Sequence, residues 1–264
     1  MTQPAGAGPV EVTSHAELLA ATGGSAFVRH DIPDPLEGTA HALGAAVAFP
    51  RRTHTRRLGL LVMGPPADSA QLLDALLGDD VLPDGIASVT VERGSFEAVS
   101  ARLPLGEGND WEWMCTTAPP PEVPAESRLE GLHRADEPAI RALLAAANPN
   151  TDARPFEHPG QRWVGVRGDG GLVACGVREP GVAGTPVLAG ITVAESARGT
   201  GLGLAVTARL TREAVAESGA CTLGMYSHNS VARRVYRGLG YGDVHEWSSR
   251  RLLRSPAPGA APGC

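Results

Sequence analysis

The chain predicts an α/β (α+β) fold, a mixed central sheet flanked by helices, and three observations predict it. Short β-branched apolar runs alternate with amphipathic stretches of helical period in both halves of its 264 residues. A glycine-rich turn, Arg198-Gly199-Thr200-Gly201-Leu202-Gly203, delivers one such run into one such helix. A proline-rich connector, 119–127, stiff and without helix potential, separates the halves.

The elements follow in order. Residues 1–10 and 253–264 are rich in proline, glycine and alanine and are expected as mobile tails. Within a first domain, 11–118, Ala26–Arg29 and Ala42–Phe49 are expected to supply early strands. Leu58–Met63 reads as a buried strand, and after Gly64-Pro65-Pro66 a helix carries Leu72, Leu73, Leu76 and Leu77. A strand over Ala87–Val91, a short helix opened by Ser95 and a strand over Asp110–Thr117 complete it. A second domain, 128–252, begins with a strand at Arg128–Leu132 and a helix at Glu137–Ala147. Strands are expected near Arg162–Arg167, Leu172–Arg178 and Val187–Val193. After the glycine turn, Leu202, Val206, Leu210 and Ala214 recur at helical spacing, leaving Arg209, Arg212, Glu213 and Glu217 for solvent. A strand from Cys221, a helix opened by Asn229 and a strand over Asp243–Arg250 end the domain. The succession strand, helix, strand, helix, strand thus occurs twice, and the halves are expected to be tandem copies of one domain.

The glycine turn carries the chemistry. A tight turn from a buried strand into a helix leaves several backbone N–H groups pointing one way at the positive end of the helix dipole, a ready anion site. Glycine matters there because a Cβ would hold the backbone away from a phosphate. No Lys follows these glycines as a Walker loop requires, and Leu204 stands where a dinucleotide fingerprint needs its third Gly or Ala. What remains is Arg-x-x-Gly-x-Gly. Further on, Asn229, Ala232, Tyr236, Leu239, Gly240 and Tyr241 spell Asn-x-x-Ala-x-x-x-Tyr-x-x-Leu-Gly-Tyr. Asn229 suits a helix N-cap and Gly240 a left-handed C-cap. Residues seven apart share a helix face, so Asn229 and Tyr236 present an amide and a phenol along one line, with small Ala232 between them.

Together the two motifs, in order and spacing, resemble the GNAT superfamily of acetyl-CoA-dependent N-acyltransferases over about residues 128–251. The resemblance implies the acyl-CoA N-acyltransferase fold, and an N-terminal half that is a degenerate GNAT-like domain or another α/β domain. It implies acetyl-CoA as co-substrate; the eight His are scattered without ligand spacing, so no metal is expected. Backbone groups of Ile191, Thr192 and Val193 would pair with the pantetheine amides, as an added strand does. N–H groups of Arg198, Gly199, Thr200, Gly201, Leu202 and Gly203 would hold the pyrophosphate. Asn229, beside Ala232, would hydrogen-bond the pantetheine arm, and Tyr236 would protonate the departing thiolate. Each residue also has a plainer reading: Asn229 as a cap alone, Tyr236 as a packed aromatic, the glycines as a tight turn. In the N-terminal half, Gly64-Pro65-Pro66 takes the place of the glycine loop, and proline supplies no donor, so that half should not bind CoA. The general base is not assigned; Glu157, His158, Glu179, Glu195 and Glu246 are candidates by vicinity. Asp152, Arg154 and Glu157 fall in the loop where this fold builds its acceptor wall.

Composition narrows the rest. Net charge is −6 and the pI near 5.8, which speaks against nucleic acid; the basic run Arg51–Arg57 reads as a solvated loop. No stretch reaches the ~20 apolar residues of a membrane span, and the N-terminus lacks a secretory pattern. Cys115, Cys175, Cys221 and Cys264 show no metal-type pairing and are expected as reduced thiols in a cytoplasmic protein. The function expected is acetyl transfer to a primary amine of a small molecule, by direct transfer in a ternary complex. A non-catalytic CoA-binding sensor and a protein N-acetyltransferase stay open, as does a homodimer.

Overall fold

The computed structural model describes residues 8–52 and 57–253. Residues 1–7 and 254–264 of the expected tails, with Cys264, and residues 53–56 of the basic run, lie outside the described residues. The first half of the chain forms β1 (Val10–Val12), α1 (His15–Ala21), α2 (Ala26–Asp31), β2 (Ala40–Leu43), β3 (Ala46–Arg52) and β4 (Leu58–Met63). It continues through α3 (Pro66–Gly78), β5 (Ser88–Glu92), α4 (Phe96–Ser100) and β6 (Leu105–Thr116). The second half forms β7 (Glu130–Leu132), α5 (Glu137–Ala147), β8 (Arg162–Gly168), β9 (Gly171–Glu179) and β10 (Val187–Val193). It ends with α6 (Leu202–Ser218), β11 (Cys221–Tyr226), α7 (Ser230–Gly238) and β12 (Asp243–Leu252). Apart from α2, the two halves repeat one order of elements.

Two compact units divide the described residues: those of 8–28, 34–111 and 246–253 form one, Arg29–Pro33 and Glu112–His245 the other. The division falls inside β6 and β12, and the proline-rich 119–127 stretch lies within the second unit. There Pro124–Arg128 makes a 3-10 turn, and Glu126 pairs with Arg212 of α6. Each unit is completed by a strand segment from the other half of the sequence. In the first unit the strand order is β1-β2-β3-β4-β5-β12-β6, with β12 antiparallel to β5 from Trp247↔Glu92 to Arg251↔Ser88. In the second, the end of β6 neighbours β11, followed by β10, β9, β8 and β7.

Several local outcomes differ from expectation. Ala26–Arg29 is helical, because Ser25 accepts the Val28 N–H (3.4 Å) and opens a turn that buries Phe27 and Val28. Three apolar residues before an arginine carry no period with which to tell strand from helix. Ala42–Phe49 is a hairpin, not one strand: Gly44 (φ +60°) turns the chain so that Leu43 pairs with Ala46. The helix α1 went unread, although Ser14 and Glu17 form a capping box. Leu77 faces out at 41% exposure, while Leu72, Leu73 and Leu76 pack on β3, β4 and β5.

The second unit buries both faces of its sheet. Val206, Leu210 and Ala214 of α6 cover Leu188, Leu223 and Ala174 on one side. Ile140, Leu143 and Leu144 of α5 cover Trp163, Cys175 and Val177 on the other. Adjacent strand residues therefore serve opposite cores, as strand alternation requires. Cys115, Cys175 and Cys221 are buried and unbridged.

Candidate active site

Strand β10 is irregular on both sides. Against β9, Ala189 pairs with Val177 but Thr192 with Cys175, so one extra residue is accommodated between them. Gly190 supplies the kink at φ +61°, and a Cβ there would stand 2.8 Å from that of Ala153. Against β11, the parallel ladder holds only Val187↔Thr222 and Leu188↔Leu223. Past that point, Ala189–Val193 and Gly224–Tyr226 make no ladder pairs with each other among the described residues, while β10 stays paired with β9 at Thr192 and Val193. The backbone of Ile191, Thr192 and Val193 thus borders a parting of two strands, an edge onto which an extended amide chain can pair. Thr192 faces the core: its hydroxyl donates to the Gly190 carbonyl (3.0 Å) and accepts from the Asn148 amide (3.1 Å).

After β10 the chain makes a 3-10 turn at Glu195–Ala197, and the Thr200 hydroxyl donates to the Ala197 carbonyl at 2.7 Å. Gly199 and Gly201 take φ +79° and +82°, and a Cβ on either would meet nothing within 4 Å. Their glycines are required by the backbone, and the space beside them is open. Gly201 is the N-cap of α6 and offers no side-chain cap; the first bond into the helix is Ala205 N–H to the Gly201 carbonyl. The N–H groups of Leu202, Gly203 and Leu204 precede it, at the positive helix end with no acidic residue in the first turn. Arg198 is exposed and has no ion-pair partner among the described residues.

Helix α7 carries the second motif. Asn229 caps it, its side-chain oxygen accepting the Ala232 N–H at 3.0 Å, which leaves the amide NH2 for other use. Ala232 is half-buried, and Tyr236, two turns in, is 8% exposed. Burial pushes the Tyr236 phenol up to about 12. Its hydroxyl makes no hydrogen bond among the described residues. The neighbouring Tyr241 ring, 5.9 Å away, is satisfied by Thr211 and Cys221. Gly240 ends the helix at φ +90°.

The candidate bases are scattered. Glu157, His158 and Glu195 are exposed, Glu179 accepts from Gln161 at 2.7 Å, and Glu246 lies in the first unit, paired with Arg93 at 3.3 Å. Three features went unread in the sequence. One is the Gly190 bulge, which an isolated glycine inside a strand signals. Another is Tyr226 at the end of β11, stacked on His228 with centroids 5.7 Å apart; burial and then Asp152 raise its phenol. The third is Glu112, buried against Arg233 of α7.

In the first unit the equivalent strand-to-helix junction is closed. Gly64 (φ +122°) gives its N–H to Glu92 at 2.9 Å, and its carbonyl accepts from the hydroxyls of Ser69 and Ser95. Pro65 and Pro66 follow, and the β4–β5 ladder runs unbroken from Gly59↔Ser88 to Val62↔Val91. Among the described residues no cluster of His, Cys, Asp and Glu could hold a metal ion, and no helix is long and apolar enough to cross a membrane.

Residues 168–251 match the family model described as FR47-like protein. The fold is that of solved GNAT structures. A GCN5-related N-acetyltransferase from Sphaerobacter thermophilus superposes with a TM-score of 0.55 and 16% identity, covering 92% of this chain and 95% of its own. A GCN5-related N-acetyltransferase from Kribbella flavida gives 0.52 and 19%, covering 92% and 98%. No curated protein sequence matches the chain.

Proposed function

We propose that this chain, a GNAT-superfamily protein with an FR47-like segment at 168–251, uses its second unit to transfer an acetyl group from acetyl-CoA to the primary amine of a small molecule. One observation carries the reading: a bulged, half-paired β10 runs directly into an open glycine turn at the N-terminus of α6. That combination offers an extended amide chain a strand edge at one end and a pyrophosphate a nest of N–H groups at the other.

The residues divide the work accordingly. Ile191, Thr192 and Val193 pair with the pantetheine amides through their backbone, and a strand N–H there polarises the thioester carbonyl. Arg198 through Gly203 hold the pyrophosphate. The Asn229 amide NH2, free of its capping duty, donates to the pantetheine arm past Ala232. Tyr236 stays protonated in its buried site and hands its proton to the thiolate as the acetyl group leaves. The neutral amine attacks the thioester carbonyl directly in a ternary complex, the C–S bond breaks as the amide forms, and the proton lost from nitrogen passes through water and restores Tyr236.

A non-catalytic CoA sensor is the second reading, and it draws on the scatter of the candidate bases. Calorimetry with acetyl-CoA, followed by a mixed amine library and an assay for free thiol, separates the two. Binding with thiol release supports the enzyme; binding without release supports the sensor. Absence of binding overturns both. Gly201→Glu is the control, since it places a carboxylate where the phosphates would lie and should abolish binding.

A further inference from the structure

Strand β6 ends the first repeat, yet its last residues, Glu112–Thr116, belong to the second unit, which β6 enters beside β11. There Glu112 is 1% exposed and holds Arg233 of α7. The Arg233 Nε lies 3.1 and 3.0 Å from the two carboxylate oxygens, and a terminal guanidinium nitrogen donates both to that carboxylate and to the Ser227 carbonyl. Three segments therefore meet at one ion pair: the end of β6, the turn after β11, and the first half of α7.

Helix α7 needs such a hold. Ser230, Val231, Arg234, Arg237 and Gly238 are exposed, and Tyr236 is its one buried residue. A helix of nine residues does not persist alone in water, and this one docks apolar surface only through Ala232, Val235 and Tyr236. Charge-assisted, multidentate contact to a buried carboxylate fixes both position and angle, which packing of a few methyl groups does not.

We infer that Glu112 is a positioning residue of the transfer reaction: through Arg233 it sets the place of α7, and with it Asn229 and Tyr236. The inference rests on the acetyl-transfer reading above. Glu112 is not the missing base, because both of its oxygens are engaged by the guanidinium. The brace comes from the end of β6, within the second unit itself.

The test uses the full chain. In Glu112→Gln one acceptor oxygen becomes an NH2 group facing a guanidinium, which leaves the half-buried Arg233 cation without its counter-charge. With the acceptor found by the amine screen, kcat should fall about tenfold while KM for acetyl-CoA changes less than about threefold, since the pyrophosphate turn is untouched. Amide exchange over Ser230–Gly238 should accelerate about tenfold or more, with α6 unchanged. Glu112→Asp, which keeps the charge, should recover part of both, and Arg233→Lys should repeat the loss.

Wild-type kcat and α7 protection in Glu112→Gln would overturn the inference, as would equal acceleration in α6 and α7, the mark of a merely structural residue. If the wild type itself binds no acetyl-CoA, the acetyl-transfer reading fails, and the claim that Glu112 makes α7 useful to that reaction falls with it. The exchange data then still decide whether Glu112 alone places the helix.

Discussion

Gly64 gives its backbone N–H to the Glu92 carboxylate over 2.9 Å, at the junction of β4 and α3 that repeats as the junction of β10 and α6 around Gly201. Both glycines have positive φ, but an internal carboxylate occupies the first junction and open space the second. An anion is therefore excluded from one and invited to the other. One molecule of CoA should bind per chain; a calorimetric stoichiometry of two would contradict this. Alanine should separate the two glycines further. At position 64 a Cβ would lie 2.5 Å from the Ala45 carbonyl, so Gly64→Ala should cost about 3 kcal/mol of stability and leave CoA affinity unchanged. At position 201 no atom is met, so Gly201→Ala should cost only about 1 kcal/mol through backbone strain but weaken CoA about tenfold. Thermal unfolding and calorimetry on both variants check the pair.

Tyr236→Phe should lower turnover by ~10²–10⁴ with CoA affinity nearly unchanged. The pH profile gives a second handle. Burial holds the Tyr236 phenol at about 12, so its acidic form persists throughout the working range. The profile of kcat/KM should then show no alkaline fall assignable to this residue below about pH 10. Turnover at the wild-type level in the Phe variant would remove the proposed proton donor.

Much of this site was legible because its motifs are local. The turn at Gly199 and Gly201 and the helix opened by Asn229 and ended at Gly240 are dictated by residues within one turn of each other, and the structure forms them as read. Tyr236 is buried beside Tyr241 and the core, a depth that spacing does not reveal. Ala26–Arg29 is helical rather than extended, and its three apolar residues carry no period that would tell the two apart. Glu112 was invisible for a different reason. It sits 121 positions from Arg233, and only the pairing of β6 beside β11 brings them together. A pairing between strands so far apart in the chain leaves no local mark in the sequence.

Asn229 caps α7, and the proposed function gives it a second duty that substitution can separate. Its oxygen caps α7 at Ala232 N–H, and its NH2 group is assigned to the pantetheine arm. Asn229→Ala should lose both: about 1 kcal/mol of stability and roughly tenfold in CoA affinity. Asn229→Ser keeps a capping oxygen at a shorter reach, so stability should stay near wild type while CoA affinity still falls. If the Ser variant binds CoA like the wild type, the residue is a cap and nothing more.

Four buried groups make stability fall in alkali. Burial raises Cys175 from 9.0 to about 12, Cys221 from 9.0 to about 11, Tyr236 from 10.0 to about 12, and Tyr241 well above 10.0. The folded chain thus keeps protons that the unfolded chain has released, so the unfolded state binds fewer protons and stability declines as pH rises. The contribution is intact below about pH 9, where the unfolded thiols are still protonated, and is lost progressively as pH passes through 9 toward 12. Unfolding temperatures in reducing buffer at pH 8, 9.5 and 11 should fall in that order. Cys175→Ala should lower the curve at every pH, because it leaves a small void, but flatten its slope above pH 9 by removing one of the early titrating groups. A melting temperature constant from pH 8 to 11 would mean that these groups reach solvent in the folded chain, and would place Tyr236 in a wetter site than the packing around α7 describes.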